Sequence, residues 1–317
     1  MLEIKENISL KNYTTFHIGG PARYFVVAND LEELREALAF AKKNKLEFFI
    51  LGGGSNILVS DQGFAGVVIK LNNSYVKIKN NTAEIGAGTA LSKAIGETLG
   101  AGLLGLEWAA GIPGTVGGAV HNNAGAYGGE MSQSVKEVGV IRSEKIKRLK
   151  NKDCCFGYRT SFLKEASSSG KKNLDIIFLV ILELKKAAAE AIEQAKATIR
   201  ENIKKRDSKF NGFSAGSVFK NIELSESKIK EFKNKFSELS DQFVEYKKIP
   251  SAWLIDQCDL KGKTIGGAKV SEEHAGIIIN TGQASAEDVI MLISFIKQQV
   301  RDKFGIQLQE EIEYIGF

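Results

Sequence analysis

The sequence predicts an α+β protein with a two-lobed first part and a small, separate α+β unit after it. Strand-type and helix-type segments alternate along the 317 residues, and clusters of glycine interrupt them in the first half. Hydrophobic residues make up 43% of the chain and charged residues 26%, as in ordinary globular proteins. At roughly 100–200 residues per domain, this length predicts about two compact units.

The first predicted lobe covers residues 1–72 and begins as a strand, helix, strand unit. Residues 31–44 carry apolar side chains at helical spacing, and Asp30 precedes them as an N-cap, with Glu33 reaching back. Enrichment in β-branched and aromatic residues predicts strands at 23–27, 47–51 and 66–71.

The second predicted lobe covers residues 73–205. It combines several strands with a short helix at 91–99 and a long glycine-rich stretch, and it ends in a buried-type strand at 176–184. The alanine-rich, charged segment 187–205 is predicted to be a helix that leads out of this lobe. The polar segment 167–172 is predicted to be an exposed loop tip.

The last predicted unit covers residues 206–305 and is also α+β. Its predicted elements are a short polar helix at 225–236, a strand at 276–280 and a helix at 286–304. Ser285 is predicted to cap the last helix and Gly305 to end it.

Composition and charge argue against several classes of protein. The net charge is only +5 and the basic residues are scattered, so no nucleic-acid partner is expected. The longest apolar run, 176–182, is far shorter than the roughly 20 residues that cross a bilayer, so no membrane span is expected. Cys154, Cys155 and Cys258 lack CxxC spacing and predict free thiols in a reducing cytoplasm.

Familiar signatures of other enzymes are absent from the sequence. The tripeptide GKT at 262–264 lacks the glycine that a phosphate loop needs five residues earlier, where Gln257 stands. No G-x-G-x-x-G opens a helix after a strand, which argues against a Rossmann site. The one G-x-S-x-G, GFSAG at 212–216, does not join a predicted strand to a predicted helix, so it is not the elbow of a serine hydrolase. The three histidines stand far apart without carboxylates at ligand spacing, so no metal site is expected.

Glycine is the unusual feature of the composition, with 32 glycines beside only 3 prolines. GGGSN at 52–56 directly follows a predicted strand, and consecutive N–H groups in such a turn can point at an anion. A plain glycine turn is the alternative interpretation. The glycine-rich segment 111–129 is predicted to be a second long loop, with almost no side chains. Two such loops suggest a dinucleotide that contains a pyrophosphate.

Three further motifs carry side chains suited to catalysis. GYRTS places Arg159 between an aromatic residue and two hydroxyls, SAGSVFKN contains Ser217, and LQEEIEYIG contains Glu311 among three glutamates. Taken singly, each has a structural alternative. These alternatives are a surface ion pair, a turn hydroxyl and a solvated strand face, respectively.

Taken together and in this order, the motifs resemble the UDP-N-acetylenolpyruvoylglucosamine reductase (MurB) family of peptidoglycan synthesis. The resemblance runs from TTFHIGGPA at 14–22 to EEIEYIG at 310–316. It implies an FAD-binding region of the vanillyl-alcohol-oxidase (PCMH) type in the two lobes, a substrate domain at 206–305 and a return of 306–317 to the first lobe. A cytoplasmic monomer is expected, from the branch of the family that lacks an extra tyrosine loop.

The resemblance also implies site residues. The FAD pyrophosphate and isoalloxazine would contact Gly53, Gly54, Ser55, Asn56, Gly111, Ile112, Pro113, Gly114, Thr115, Gly117, Gly118 and Gly125. Arg206 falls near a family arginine that contacts the flavin or the substrate phosphates. The substrate or nicotinamide pocket would include Tyr158, Lys220, Asn221 and His274.

The implied reaction assigns a role to three side chains. NADPH reduces FAD, and hydride then passes to the enolpyruvyl group of UDP-N-acetylenolpyruvoylglucosamine, which gives UDP-N-acetylmuramate. Arg159 would stabilise the resulting enolate, because a guanidinium keeps its charge. Glu311, protonated or hydrogen bonded, would polarise the carboxylate, and Ser217 would deliver the final proton.

Three residues depart from the family pattern: His17 replaces an arginine, Ile222 a proline and Gly276 an asparagine. These differences concern the substrate loops and not the chemistry. Two other functions remain open from the residues. One is another FAD-dependent oxidoreductase of the same fold that acts on an alcohol or a hydroxy acid. The other is a non-catalytic binder of a nucleotide sugar or polyanion.

Overall fold

The computed structural model describes residues 2–142, 145–164, 175–208, 212–236, 243 and 247–317. The chain folds into two compact units. Unit 1 comprises the described residues of Met1–Ser9, Pro21–Gly54 and Phe64–Ser208. Unit 2 comprises those of Leu10–Gly20, Ser55–Gly63 and Lys209–Phe317. The loop tip predicted at 167–172 lies outside the described residues.

Helices and strands occur in both units, which confirms the predicted α+β class. The α-helices whose bounds lie within the described residues are α1 (Leu31–Lys43), α2 (Leu91–Gly100), α3 (Val116–His121), α4 (Ala189–Asp207), α5 (Glu226–Lys235), α6 (Ser251–Asp256) and α7 (Ala286–Phe304). The strands are β1 (Ile4–Ser9), β2 (Pro21–Ala28), β3 (Phe48–Leu51), β4 (Ile57–Val59), β5 (Phe64–Leu71), β6 (Val76–Lys79), β7 (Thr82–Gly86), β8 (Leu103–Leu104), β9 (Gly125–Ala126), β10 (Gly129–Glu130), β11 (Val135–Arg142), β12 (Lys145–Lys150), β13 (Ile176–Glu183), β14 (Lys185–Lys186), β15 (Ile222–Glu223), β16 (Lys248–Ile249), β17 (Thr264–Ile265), β18 (Ala268–Val270), β19 (Ile278–Asn280) and β20 (Glu313–Ile315).

The first sheet of unit 1 has the strand order β1-β2-β5-β3. Strands β2, β5 and β3 run parallel, and α1 connects β2 to β3 as a crossover that packs on the sheet. The helix begins at the predicted cap, because the Asp30 carboxylate accepts the N–H of Glu33 at 2.9 Å. The Glu33 carboxylate in turn accepts the N–H of Asn29 at 2.7 Å. The predicted strand, helix, strand unit is therefore confirmed.

The second sheet of unit 1 is antiparallel, with the strand order β12-β11-β13-β7-β6. Its central strand β13 is the apolar run that predicted a buried strand, and residues such as Val180 and Leu182 are fully buried. They belong to the same hydrophobic cluster as Val67 and Ile69 of the first sheet. The two sheets of unit 1 therefore share one hydrophobic core.

The prediction of one continuous loop over 111–129 is wrong, because α3 lies within it. The Thr115 hydroxyl accepts the N–H of Gly118 at 3.3 Å and caps this helix. The sequence did not indicate this helix because its first turn contains two glycines, and glycine has a low helix propensity. Packing explains Gly117, because a Cβ there would lie 2.8 Å from the Ala87 Cβ.

Unit 2 contains the three-stranded sheet β17-β18-β19 and the long helix α7. Apolar residues of α7, such as Val289 and Ile293, are buried in one cluster with Ala268 and Val270 of β18. Strand β20 pairs in parallel with β4. Residues near the end of the chain therefore pair with residues 57–59, and both strands belong to unit 2.

Helix α7 has the predicted ends, and its N-terminus provides a test of pH dependence. The Asp288 carboxylate accepts the N–H groups of Ser285 and Gly267, both at 3.0 Å, while the Ser285 hydroxyl accepts the N–H of Asp288. These backbone hydrogen bonds lower the pKa of Asp288. Gly305 ends the helix with a left-handed φ of 69°.

We expect Asp288→Asn to lower the melting temperature at pH 7 by a few degrees. A carboxylate whose pKa is lower in the folded chain stabilises the fold above its unfolded pKa of about 3.9. That contribution is lost as the pH falls through the lower, folded-state pKa. The difference in melting temperature between wild type and variant, measured by calorimetry, should therefore be full at pH 6–7 and shrink below about pH 4. A constant difference down to pH 3 would contradict this assignment.

Membrane-spanning helices and metal-binding clusters are both absent from the described residues. No helix in them is both long and apolar enough to cross a membrane. No group of three or more His, Cys, Asp or Glu side chains in the same ranges could hold a metal ion. The three cysteines are free thiols.

Candidate functional site

The glycine-rich turn after β3 lies against the second glycine-rich segment within unit 1. A Cβ on Gly53 would lie only 2.4 Å from the Gly114 Cα, and a Cβ on Gly52 would lie 2.8 Å from the Thr115 Oγ1. Gly54 has a φ of 64°, which favours glycine. The structure therefore brings together the backbones of two segments that the sequence analysis assigned to one cofactor.

The N–H groups of this turn are available to a ligand. In the described part of the chain, no backbone carbonyl accepts the N–H of Gly53 or of Gly54, and Gly54 is buried. Buried backbone N–H groups in folded proteins are nearly always hydrogen bonded. Two adjacent donors at the end of a strand suit phosphate oxygens. The turn therefore fits the pyrophosphate of FAD.

The segment 111–118 is held rigidly by backbone hydrogen bonds to its neighbours in unit 1. The Gly114 carbonyl accepts the N–H of Leu91 at 3.0 Å, and the N–H of Gly117 donates to the Ala87 carbonyl at 2.9 Å. The N–H of Ile112 donates to the Ala109 carbonyl at 3.0 Å. A glycine-rich segment whose backbone is already held by hydrogen bonds before binding suits a flat ring system, because little ordering entropy is lost on binding.

Arg159 lies at the tip of a tight turn in unit 1. Gly157 and Thr160 exchange backbone hydrogen bonds of 3.0 and 3.3 Å on either side of it. The φ of Arg159 is 56°, a left-handed conformation that few residues other than glycine adopt, and such strain concentrates at functional sites. The Arg159 Nη2 donates to the Gly125 carbonyl at 2.7 Å, and the guanidinium lies 5.3 Å from the centre of the Tyr158 ring.

Arg206, near the end of α4, lies close to Arg159. Its side chain covers Gly111, where a Cβ would lie 2.9 Å from the Arg206 Cδ. Burial lowers the pKa of Arg206; the nearby Tyr127 opposes this effect, and the positive charge of Arg159 adds to it. An arginine nevertheless stays protonated at neutral pH. Two neighbouring guanidinium groups create a positive potential, which an anionic ligand would neutralise.

Ser217 and Glu311 lie on adjacent extended segments of unit 2. Gly216, with a φ of 78°, turns the chain immediately before Ser217. The N–H of Val218 donates to the Gly276 carbonyl at 2.9 Å, and the Val218 carbonyl accepts the N–H of Glu311 at 2.7 Å. Backbone pairing thus fixes the positions of two predicted catalytic residues that are distant in sequence.

Other predicted residues of unit 2 are held in the same region. The Asn56 side-chain amide donates to the Glu311 carbonyl at 3.2 Å, and the N–H of Lys220 donates to the Gln309 carbonyl at 2.9 Å. The Asn221 Oδ1 accepts the N–H of Ser251 at 3.2 Å. Ser55 precedes Asn56 and belongs to unit 2 as well.

Gly276 and His17, which both depart from the family pattern, each lie against a ring in unit 2. The His274 Nδ1 accepts the N–H of Gly276 at 3.2 Å, and a Cβ on Gly276 would lie 3.0 Å from the His274 Cε1. Glycine at this position therefore allows the imidazole to fold back over the chain. His17 stacks on Phe213 with a centroid distance of 3.9 Å. The structure gives no reason for Ile222.

Each unit therefore gathers its own set of predicted residues. Unit 1 contains Gly53, Gly54, Gly111, Ile112, Pro113, Gly114, Thr115, Gly117, Gly118, Gly125, Tyr158, Arg159 and Arg206. Unit 2 contains Ser55, Asn56, Ser217, Lys220, Asn221, His274 and Glu311. Lys70, whose side chain donates a hydrogen bond to the Gly52 carbonyl, is not among the residues predicted from the sequence. The only signal for it was a single charged residue inside an otherwise apolar strand.

Comparison with known proteins identifies relatives along the whole chain. A family model described as "FAD binding domain" matches residues 22–144, and one described as "UDP-N-acetylenolpyruvoylglucosamine reductase, C-terminal domain" matches residues 207–315. A UDP-N-acetylenolpyruvoylglucosamine reductase from Anoxybacillus flavithermus is 37% identical over 99% of this chain and 94% of its own length. One from Clostridium novyi is 38% identical over 99% of this chain and 92% of its own.

A solved structure is similar along the same length. The crystal structure of UDP-N-acetylenolpyruvylglucosamine reductase (MurB) from Thermus caldophilus has a TM-score of 0.76 and 31% sequence identity. The match covers 99% of this chain and all of that one. Together with the FAD-binding model, it confirms the predicted fold of an FAD-binding region followed by a small C-terminal α+β part.

Proposed function

Because this chain belongs to the UDP-N-acetylenolpyruvoylglucosamine reductase family, we propose that it catalyses the NADPH-dependent, FAD-mediated reduction of UDP-N-acetylenolpyruvoylglucosamine to UDP-N-acetylmuramate. The observation that carries this proposal is the similarity to relatives of that name over 99% of the chain. The available N–H groups of the turn at 52–54 support FAD by an independent physical argument.

FAD, when bound, supplies the hydride transfer from NADPH to the enolpyruvyl double bond. Gly53 and Gly54 would bind its pyrophosphate through their N–H groups, and Ser55 and Asn56 would add side-chain donors. The rigid backbone of 111–118, together with Gly125, would support the ring system. Arg206 would neutralise negative charge on the cofactor or on the substrate phosphates.

Arg159 would stabilise the negative charge that develops when hydride reaches the terminal carbon of the enol ether. That charge spreads from the adjacent carbon into the substrate carboxylate as an enolate. A guanidinium suits this role because it is permanently charged, and its fixed fork matches two carboxylate oxygens. The hydrogen bond to Gly125 and the contact with Tyr158 hold the Arg159 side chain in place before the reaction, which is what electrostatic stabilisation requires.

Ser217 and Glu311 would complete the reaction. The Ser217 hydroxyl would give its proton to the carbon that carries the enolate charge, and Glu311 would polarise the carboxylate. Serine is a weak acid in water, but an enolate is a strong base and the backbone fixes the position of Ser217. Tyr158, Lys220, Asn221 and His274 would position the nucleotide sugar or the nicotinamide.

A stopped-flow experiment on the purified protein tests this proposal. NADPH should bleach the flavin absorbance, and UDP-N-acetylenolpyruvoylglucosamine added afterwards should restore it. Bleaching without recovery would contradict the proposed reaction. Flavin reduction by an alcohol or a hydroxy acid instead of NADPH would indicate another oxidoreductase of the same fold. A colourless protein that is indifferent to FAD would indicate a non-catalytic binder.

We propose a cytoplasmic monomer, in keeping with free thiols and a nucleotide-sugar substrate. We also propose the functional division into 1–72, 73–205 and 206–305, with 306–317 rejoining the first lobe. Size-exclusion chromatography with light scattering tests the monomer directly, and a mass of two chains would contradict it.

A further inference from the structure

Lys70 lies on β5 where neighbouring side chains are apolar. Val67, Val68 and Ile69 are fully buried, and Lys70 itself is only partly exposed. In the parallel pairing of β3 with β5, Lys70 is opposite Leu51. Its ammonium group therefore reaches the first residue after β3 and donates a hydrogen bond to the Gly52 carbonyl.

The charge of Lys70 lacks a counter-charge in the described part of the chain. Burial lowers the pKa of Lys70, and no carboxylate in that part opposes the effect. A partly buried ammonium without an anion is costly, whereas one beside an anionic ligand is stabilised. An anion bound at the adjacent turn would therefore reduce this penalty.

The hydrogen bond to Gly52 also determines where the next N–H points. The Gly52 carbonyl and the Gly53 N–H belong to one planar, trans peptide and point in opposite directions. When Lys70 holds the carbonyl on one side, the N–H of Gly53 must point to the other. A cation on the carbonyl oxygen also polarises the peptide and strengthens its N–H as a donor.

We propose that Lys70 is a positioning and electrostatic residue for the FAD pyrophosphate. Its ammonium holds the Gly52 carbonyl, so the N–H of Gly53 is directed to the opposite side of the peptide, towards the phosphates, and the positive charge acts on them through this polarised peptide. This inference rests on the proposed function, because it assigns the anion to FAD.

The affinity of the apoprotein for FAD, measured by fluorescence titration, tests the inference. Lys70→Met should raise the Kd for FAD roughly tenfold, whereas Lys70→Arg should stay close to wild type because it keeps the charge and the donor. Lys70→Gln keeps a donor but loses the charge, so its Kd should lie between these two. The matched control is Lys79→Met, which removes an exposed lysine of the same unit and should leave the Kd unchanged.

Riboflavin separates a specific role from general damage, because it lacks the pyrophosphate. The Lys70→Met substitution should leave the Kd for riboflavin unchanged while it raises that for FAD. Equal losses for both flavins, or wild-type FAD affinity in Lys70→Met, would overturn the inference. If Lys70→Met does not fold, Lys70→Gln against Lys70→Arg gives the same comparison. A wild-type protein that binds no FAD would refute the proposed function itself.

Discussion

Replacing Ser217 with alanine is expected to lower kcat at least about a hundredfold, while NADPH continues to reduce the flavin at its normal rate. A positioned proton donor contributes roughly a hundredfold to ten-thousandfold to a rate. Only the second half-reaction needs that proton, so the loss should be confined to it. Single-turnover stopped-flow measurements resolve the two steps: the flavin should bleach as in wild type and recover slowly or not at all when UDP-N-acetylenolpyruvoylglucosamine is added.

The backbone around Ser217 makes this a clean substitution. The extended segment is held by main-chain hydrogen bonds of Val218 to Gly276 and Glu311, which alanine does not disturb. Ser92→Ala, at an exposed position of α2, is the control and should leave both half-reactions unchanged. Normal reoxidation in Ser217→Ala would exclude Ser217 as the proton donor. Equal loss of both steps would indicate damage to flavin binding instead.

Elements with local signals could be predicted from the sequence, whereas elements held by distant contacts could not. Helix α7 has the predicted bounds, because Ser285, Asp288 and Gly305 act on neighbouring backbone groups. Helix α3 was missed because its first turn contains two glycines. Contact with Ala87, a residue of another loop, explains why glycine is required at position 117.

The same distinction applies to the candidate site. Sequence motifs predicted Ser217 and Glu311 as site residues. Only the folded chain shows that their segments pair, with one backbone hydrogen bond between Val218 and Glu311. The contact of Gly53 with Gly114 could not be predicted either, since it depends on how two loops approach each other. Lys70 gave little signal for a similar reason: one lysine in a strand is common, and its role depends on reaching Gly52.

The close approach of the two glycine-rich segments leads to the second large expected effect. Gly53→Ala should raise the Kd for FAD by about a hundredfold, because overpacking of this kind costs about 1–3 kcal/mol and each 1.4 kcal/mol is tenfold in affinity. The added Cβ would lie 2.4 Å from the Gly114 Cα. The Gly114 Cα is a backbone atom, and the added Cβ is bonded directly to the backbone of residue 53, so neither atom can rotate away. The turn itself must therefore move, and its N–H groups move with it. Titration of the apoprotein with FAD measures the effect.

Gly96→Ala is the matched control for this experiment, because it adds the same methyl group to the same unit. Gly96 lies inside α2, and a Cβ there would meet no atom within 4 Å. Alanine in a helix interior is more favourable than glycine by about 0.5–1 kcal/mol, so this variant should bind FAD normally and melt at a slightly higher temperature. If Gly53→Ala also bound FAD as wild type does, close contact with Gly114 would not be needed for the cofactor. The pyrophosphate would then have to bind elsewhere in the chain.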